Sequence, residues 1–226
     1  MPFAVLAHAG DAEAELLAAE LRRRAGGSSV ALVWAEELLL GSRFTHRIDG
    51  DGATTEVELA SGLRLDSAEL RGVVCRLQQV PVPQFRQAPE VDRRYAELEA
   101  YALAISWLAS LTCPVFNPVT SRGLSGPRPA PPELFSLAAS CGLRAQRFRF
   151  ASGPSPLWLE PVAEPRTVLV VAGRALHPVD DAVAAACERL AERLNCPLLG
   201  VLLARSAEGD EVFCGVEALP SLGPAG

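Results

Sequence analysis

Residues 3–34 read FAVLAHAGDAEAELLAAELRRRAGGSSVALVW, two short apolar runs separated by an Ala- and Glu-rich segment. The first run, residues 3–7, predicts a buried strand, and Asp11 after it is a typical helix N-cap. Leucines recur at helical spacing until Gly26 ends the pattern, and residues 30–34 predict a second buried strand. This β-α-β order predicts an α/β fold.

The next segment predicts a hairpin and then another strand. Residues 44–48 and 54–59 alternate in polarity on either side of Asp-Gly-Asp-Gly at 49–52, which is a hairpin signal. Residues 70–77, LRGVVCRL, predict a further strand that leads into a proline-punctuated loop over residues 79–89.

A helix is predicted over residues 92–111. Its apolar residues recur every three or four positions and so share one face: Tyr95, Leu98, Ala102, Ile105 and Ala109. Thr112-Cys113-Pro114 ends the pattern, because proline disfavours a helical residue before it.

The proline-rich segment GPRPAPP, residues 126–132, predicts a semi-rigid linker. It separates a predicted α/β domain over residues 1–125 from a smaller α+β domain over residues 133–226. The second domain is predicted to contain strands at 143–150, 157–162 and 167–172, a helix with Val183, Cys187, Leu190, Ala191 and Leu194 on one face, and a hairpin of residues 198–205 and 211–216.

The composition excludes several function classes. A net charge of −6 repels a phosphate backbone, so we expect no nucleic-acid partner. All 21 basic residues are arginine, so the chain offers neither a Schiff-base amine nor an ammonium group for nucleotide phosphates. No apolar run is long enough to span a membrane, and the start MPFAVLAHAGD lacks the basic segment of a signal peptide. The six cysteines are scattered without zinc-site spacing, which favours a cytoplasmic protein in which they are buried small side chains.

Candidate contact residues follow the strand at residues 70–77. Arg76 and Gln78 lie at its carboxyl end, where open α/β sheets bind ligands, although a solvated arginine at a strand end is the alternative interpretation. The histidines at positions 8, 46 and 177 have no neighbouring Cys, His or acid at metal-ligand spacing. The pair Glu36-Glu37 indicates a helix start or a solvated face.

The order of these segments resembles an ATP-grasp ligase. GVVCRL, the helix segment YAELEAYALAISWLASL and CPVFNPV are similar to the pre-ATP-grasp domain, and PPELFSLAASCGLRAQRFRF is similar to the entry into the ligase core. RTVLVVAGRAL and LAERLNCPLLGVLLARSAEGDEVFCGVEALPSL resemble the last strands, helix and hairpin. The resemblance covers nearly the whole chain and implies a pre-ATP-grasp-like α/β domain followed by a reduced ATP-grasp-like domain.

Several residues depart from what the resemblance implies. The family binds phosphates through lysines, which this chain lacks. Its magnesium ligands would fall at Leu202 and in Gly215-Val216-Glu217, where only Glu217 carries a carboxylate. Few residues separate Phe150 from Thr167, where the family places a nucleotide-binding subdomain.

These departures favour a non-catalytic accessory protein, a pseudoenzyme with no cofactor and no metal. Because relatives in the family modify peptides, the resemblance implies recognition of a peptide or a companion enzyme, with contacts at Arg76, Gln78, Asn117 and Arg122. Two alternatives stay open. One is an ATP-dependent carboxylate-amine ligase with arginine in place of lysine, and the other is a small-molecule sensor that keeps the substrate pocket.

An oligomer is also expected. Strands 157–162, 167–172 and 198–203 are strongly apolar without alternation, which usually means burial on both faces. Without a lid, a second copy or a companion enzyme would cover the second face, unless the loop at 154–165 folds back over it.

Overall fold

The computed structural model describes residues 2–41, 43–152, 157–176 and 180–222. The chain divides into two compact units, the first ending at Gly126 and also including Leu222, and the second running from Pro127 to Ser221. No helix in the described ranges is long and apolar enough to cross a membrane.

The first unit alternates strands and helices. In chain order it contains β1 (Phe3–Ala7), α1 (Ala12–Ala25), β2 (Val30–Trp34), α2 (Ala35–Leu38), β3 (Arg43–Asp49), β4 (Gly52–Glu58), β5 (Arg64–Asp66), β6 (Gly72–Cys75), α3 (Glu90–Ala109) and β7 (Val115–Phe116). Strands β2, β1, β6 and β7 form a parallel sheet in that order, with Phe3 opposite both Val30 and Gly72. The β-α-β unit is therefore confirmed, and Asp11 caps α1 by accepting a hydrogen bond of 3.0 Å from the Ala14 amide.

The two faces of this sheet have separate cores. Val5 and Ala7 of β1 pack with Ala14 and Ala18 of α1 on one face. Ala4 and Leu6 of the same strand belong to the cluster of α3 and the antiparallel β3–β4–β5 sheet, because side chains alternate along a strand. The predicted hairpin is confirmed, with Asp49 opposite Gly52 at its turn.

Helix α3 buries a different face from the one its periodicity predicts. Its buried residues are Ala96, Ala100, Ala104, Trp107 and Leu108, whereas Tyr95 is 65% exposed and Leu98 is 61% exposed. The predicted face was wrong because α3 is apolar on more than one side. Its alanine stripe lets the helix approach the core closely, so the small side chains face inward.

The second unit is built on an antiparallel sheet. In chain order it contains α4 (Pro131–Ser140), β8 (Phe148–Phe150), β9 (Leu157–Leu159), β10 (Arg166–Val171), β11 (Arg174–Ala175), α5 (Asp181–Arg193), β12 (Leu198–Arg205) and β13 (Glu211–Glu217). The sheet order is β11, β10, β12, β13, and the closing hairpin is confirmed. Helix α4 begins at Pro131, inside the predicted linker over residues 126–132, because proline suits the first turn of a helix.

The strands expected to be buried on both faces differ from one another. Among the described residues, strand β9 pairs only with β8, and Trp158 is 53% exposed, contrary to expectation. Strand β10 alternates, with Val168 and Val170 buried and Leu169 half-buried. On the second face, a Cβ at Gly200 would lie 3.0 Å from Pro220, so the chain after β13 covers part of that face. Whether a partner covers the rest stays a prediction, and residues 154–156 of the predicted covering loop lie outside the described residues.

All six cysteines are free thiols, and four of them are buried. Burial raises the pKa of Cys75, Cys187 and Cys196 to about 11. These thiols therefore stay protonated at neutral pH and pack as small apolar side chains, as the sequence predicts.

Candidate functional site

Polar residues collect at the carboxyl edge of the parallel sheet in the first unit. His8 follows β1, Glu36 follows β2, Arg76 and Gln78 follow β6, and Asn117 follows β7. Parallel strands end at the same edge, which is where open α/β sheets bind ligands. The sheet therefore brings together residues that lie far apart in sequence.

Arg76 is buried, with 4% of its surface exposed. Its Nε donates a hydrogen bond of 2.7 Å to Oδ2 of Asp11, whose Oδ1 caps α1. Burial opposes ionisation of Asp11, but hydrogen bonds from Arg76 and the Ala14 amide outweigh it and hold the pKa of Asp11 below its ordinary value. The alternative interpretation of Arg76 as a solvated residue was wrong, because the sheet encloses the end of β6. Its role as a ligand contact stays a prediction.

His8 joins two strand ends through its two ring nitrogens. Nε2 of His8 accepts a hydrogen bond of 3.2 Å from the Gln78 amide, so in neutral His8 the proton is on Nδ1. That Nδ1 lies 3.3 Å from Oε1 of Glu36, and Oε2 of Glu36 accepts from the Ala9 amide at 3.1 Å. Burial raises the pKa of Glu36, but backbone hydrogen bonds and His8 outweigh it and bring the pKa below its ordinary value.

The other predicted contacts lie in different surroundings. Gln78 is exposed, and its backbone amide rather than its side chain contacts His8. Asn117 is buried and has a φ of 59°, a left-handed conformation that asparagine tolerates better than most residues. Arg122 is exposed in a turn, where its amide donates to Oγ1 of Thr120 at 3.2 Å. The fold thus brings Arg76, Gln78 and Asn117 to one edge, while Arg122 follows in a turn.

Sequence reasoning missed His8 and Glu36 as members of this edge and gave Asp11 only its capping role. The histidine had no ligand partner nearby in sequence, since Glu36 lies 28 positions away and Gln78 lies 70 positions away. A usable signal existed, because each residue directly follows a predicted parallel strand. His177, the third histidine, lies outside the described residues.

A second place of interest is the hairpin of β12 and β13, where the ATP-grasp resemblance puts magnesium ligands. Leu202 on β12 lies directly opposite Gly215 on β13, so the two positions are cross-strand neighbours on one face. A Cβ at Gly215 would lie 3.7 Å from Cδ1 of Leu202. Neither residue supplies the oxygen that magnesium needs, and Glu217 is the one carboxylate of the three positions. That the chain binds no magnesium–nucleotide complex stays a prediction. In the described part of the chain, no group of three or more His, Cys, Asp or Glu could hold a metal ion.

Comparison with known proteins finds solved structures of similar fold but no matching sequence family. No protein-family model and no curated protein matches the chain. The macrocyclase MdnC of Microcystis aeruginosa MRC, bound with precursor peptide MdnA, matches with a TM-score of 0.77 and 9% identity, over 98% of this chain and 92% of that one. Macrocyclase MdnB of the same organism matches with a TM-score of 0.69 and 14% identity, over 98% and 90%.

The ATP-grasp ligase PsnB, complexed with a minimal precursor, Mg and ADP, matches with a TM-score of 0.71 and 14% identity, over 97% of this chain and 90% of that one. At identities this low, the likeness establishes the fold alone. The chain is therefore an α/β protein whose fold is similar to that of ATP-grasp ligases.

Proposed function

We propose that this chain is a non-catalytic ATP-grasp-fold protein that recognises a peptide or a companion enzyme. Solved structures of the same fold are described as complexes with precursor peptides, which supports a peptide partner. The observation that supports the non-catalytic part is the cross-strand pair of Leu202 and Gly215, which offers no side-chain oxygen at two positions where the resemblance implies magnesium ligands. The lack of lysine across the whole sequence points the same way.

Titration calorimetry with ATP and magnesium tests the non-catalytic part. We expect no binding tighter than about 100 μM, because the phosphate and metal ligands are missing. As a positive control for magnesium binding, the double variant Leu202→Asp with Gly215→Glu places carboxylates at the two cross-strand positions where the resemblance implies acids. Tighter binding by the unmodified chain, or release of ADP in the presence of an amine and a carboxylate, would support the ligase alternative instead.

The small-molecule sensor alternative predicts a ligand at the carboxyl edge of the parallel sheet. Four side chains at this edge already pair with one another, Arg76 with Asp11 and His8 with Glu36. His8 also accepts a hydrogen bond from the Gln78 amide. These contacts favour a structural role for the four side chains, in which they hold the edge together. A metabolite that shifts the unfolding midpoint of the first unit at micromolar concentration would favour the sensor over the peptide binder.

The proposal includes an oligomer or a stable complex in a reducing, cytoplasmic environment. The half-buried side chains of Leu169 and Val171, on the second face of the antiparallel sheet, support a covering partner. Sedimentation at micromolar concentration is expected to give a species larger than the monomer, either alone or with its partner. A monomer that binds no partner in stoichiometric amount would contradict this part.

A further inference from the structure

A groove of about 520 Å³ lies in the first unit, between the loop that follows β6 and the outer side of helix α3. Val80 and Val82 are buried in its floor, and Leu98 and Tyr101 form part of its helical wall. Pro81 and Pro83 restrict the loop, because proline fixes φ. The groove therefore has a defined apolar floor.

Three arginines line the same groove, Arg86 from the loop and Arg93 and Arg94 from the helix. Over the described ranges, no ion pair or hydrogen bond engages any of these three guanidinium groups. Glu97 is the one carboxylate among the lining residues. The groove thus carries an excess of two positive charges in a chain whose net charge is −6.

An exposed apolar ridge on α3 continues the groove. Val91 is 79% exposed, Tyr95 is 65% exposed and Leu98 is 61% exposed, at successive turns of the helix. Leu98 belongs both to this ridge and to the groove lining. The inward-facing alanine stripe of α3 leaves these larger side chains on the outside.

We propose that this groove docks an acidic peptide segment, in which carboxylates flank an apolar anchor side chain. The anchor would rest on Val80, Val82 and Leu98. The carboxylates of the peptide would form ion pairs with Arg86, Arg93 and Arg94, because a guanidinium group binds a carboxylate through two parallel hydrogen bonds. Charge complementarity selects this occupant, because a basic segment would meet Arg86, Arg93 and Arg94 at close range. A single-stranded nucleic acid would bring the right charge for the arginines, but the net charge of −6 of the chain repels its phosphate backbone.

This inference rests on the proposed function, since it names the peptide chemistry and the surface involved. The probe is a fluorescein-labelled synthetic peptide of sequence Asp-Glu-Leu-Phe-Glu-Asp, titrated with the full chain and followed by fluorescence anisotropy. We expect saturable binding that weakens as salt is raised. A matched peptide with Gln and Asn in place of the acids, and another with Ser in place of Leu and Phe, are each expected to bind at least about tenfold more weakly.

The double variant Arg93→Glu with Arg94→Glu is expected to weaken binding of the acidic peptide by at least about tenfold, since both contacts become repulsive. The matched control is Arg47→Glu with Arg71→Glu, which makes the same charge change at two exposed arginines outside the groove lining. This control is expected to retain affinity within about threefold. The variant Leu98→Ser removes the contact with the apolar anchor of the peptide and leaves the charge of the groove unchanged. Circular dichroism checks that every variant is folded.

Three results would overturn the inference. They are failure of the acidic peptide to bind, equal loss of affinity in the control and groove variants, and equal competition by a single-stranded oligonucleotide. None of these results depends on nucleotide binding. A chain that binds ATP and magnesium would overturn the non-catalytic proposal and leave the groove result unaffected.

Discussion

The ion pairs beside the two sheets of this protein differ in burial. The parallel sheet of the first unit gathers Asp11, Arg76, His8 and Glu36 at one edge, where Arg76 is buried and the pairs join distant segments. In the second unit, the antiparallel sheet has an apolar core, and its ion pairs, such as Arg166 with Glu211, lie in solvent. Ion pairs in both units join residues far apart in sequence, so the difference between Arg76–Asp11 and Arg166–Glu211 is one of burial. Removing one partner of the buried pair Arg76–Asp11 is therefore expected to cost more stability than removing one partner of an exposed pair in either unit.

The largest expected effect is on the buried ion pair. Arg76→Leu leaves the Asp11 carboxylate partly buried without its partner and is expected to lower the free energy of unfolding by about 3 kcal/mol. Urea unfolding followed by tryptophan fluorescence measures this, in a background variant with Trp158→Phe so that the signal comes from Trp34 and buried Trp107 of the first unit. Asp11→Asn keeps an N-cap acceptor, so the double variant is expected to recover part of the loss. A loss below about 1 kcal/mol for Arg76→Leu would place this pair with the exposed ones.

The next effect concerns the packing of α3 against the core of the parallel sheet. Ala100→Leu places a larger side chain on the buried alanine stripe and is expected to cost about 1–3 kcal/mol. The matched change Ala102→Leu lies on the exposed side of the same helix and is expected to change stability by less than about 0.5 kcal/mol. Thermal unfolding of both variants compares the two faces directly. If Ala102→Leu were the more costly change, the assignment of the buried face would be wrong.

Acid should weaken the first unit through Asp11 and Glu36. Their pKa values lie below the ordinary 3.8 and 4.5, so their charged forms stabilise the folded state. This contribution is fully present at neutral pH and is lost as the pH falls below these ordinary values and through the lowered pKa values. The urea midpoint reported by Trp107 is expected to fall on acidification, and to fall less in the variant Asp11→Asn with Glu36→Gln. Equal falls in both proteins would contradict a role for these two carboxylates.

The smallest effect is expected in the second unit. Arg166→Gln removes an ion pair with Glu211 whose side chains are 46% and 34% exposed, and the expected cost is below about 1 kcal/mol. Raised salt should shrink even this difference, because exposed pairs are screened. Unfolding by circular dichroism at low and high salt provides the measurement. If Arg166→Gln lowered the free energy of unfolding as much as Arg76→Leu does, the ion pairs of the two sheets would not differ in their contribution to stability.

The comparison of α3 and α5 shows how far a helical pattern predicts burial. In α5 the predicted face was largely right, since Cys187, Leu190 and Ala191 are buried there. Charged residues occupy the other side of α5, so only one face could pack inward. In α3 apolar residues surround more of the helix, and the choice between Leu98 and Ala100 depends on how closely the helix approaches the sheet. The distance between α3 and the sheet cannot be read from a single sequence.

The residues of the candidate site also fall into a predicted group and an unpredicted group. Arg76 and Gln78 were predicted because they follow a strand and Asn117 because of the ATP-grasp resemblance, and the structure places all three at one edge. The partners of Arg76 and Gln78, Asp11 and His8, were not predicted, because pairing across strands depends on sheet order. The groove of Arg86, Arg93 and Arg94 was also missed, since the helix face that lines it was expected to pack inward.

The α/β class, the β-α-β start, both hairpins and the absence of lysine follow from the sequence alone, since these features depend on local patterning and composition. It also identified Leu202 and Gly215 as positions that lack an oxygen ligand. Three further features are visible only in the folded chain: these two residues lie opposite each other, Arg76 is buried against Asp11, and several large side chains of α3 point outward. The physical reason is that burial and pairing depend on strand order, register and packing distance, which arise between segments far apart in the chain.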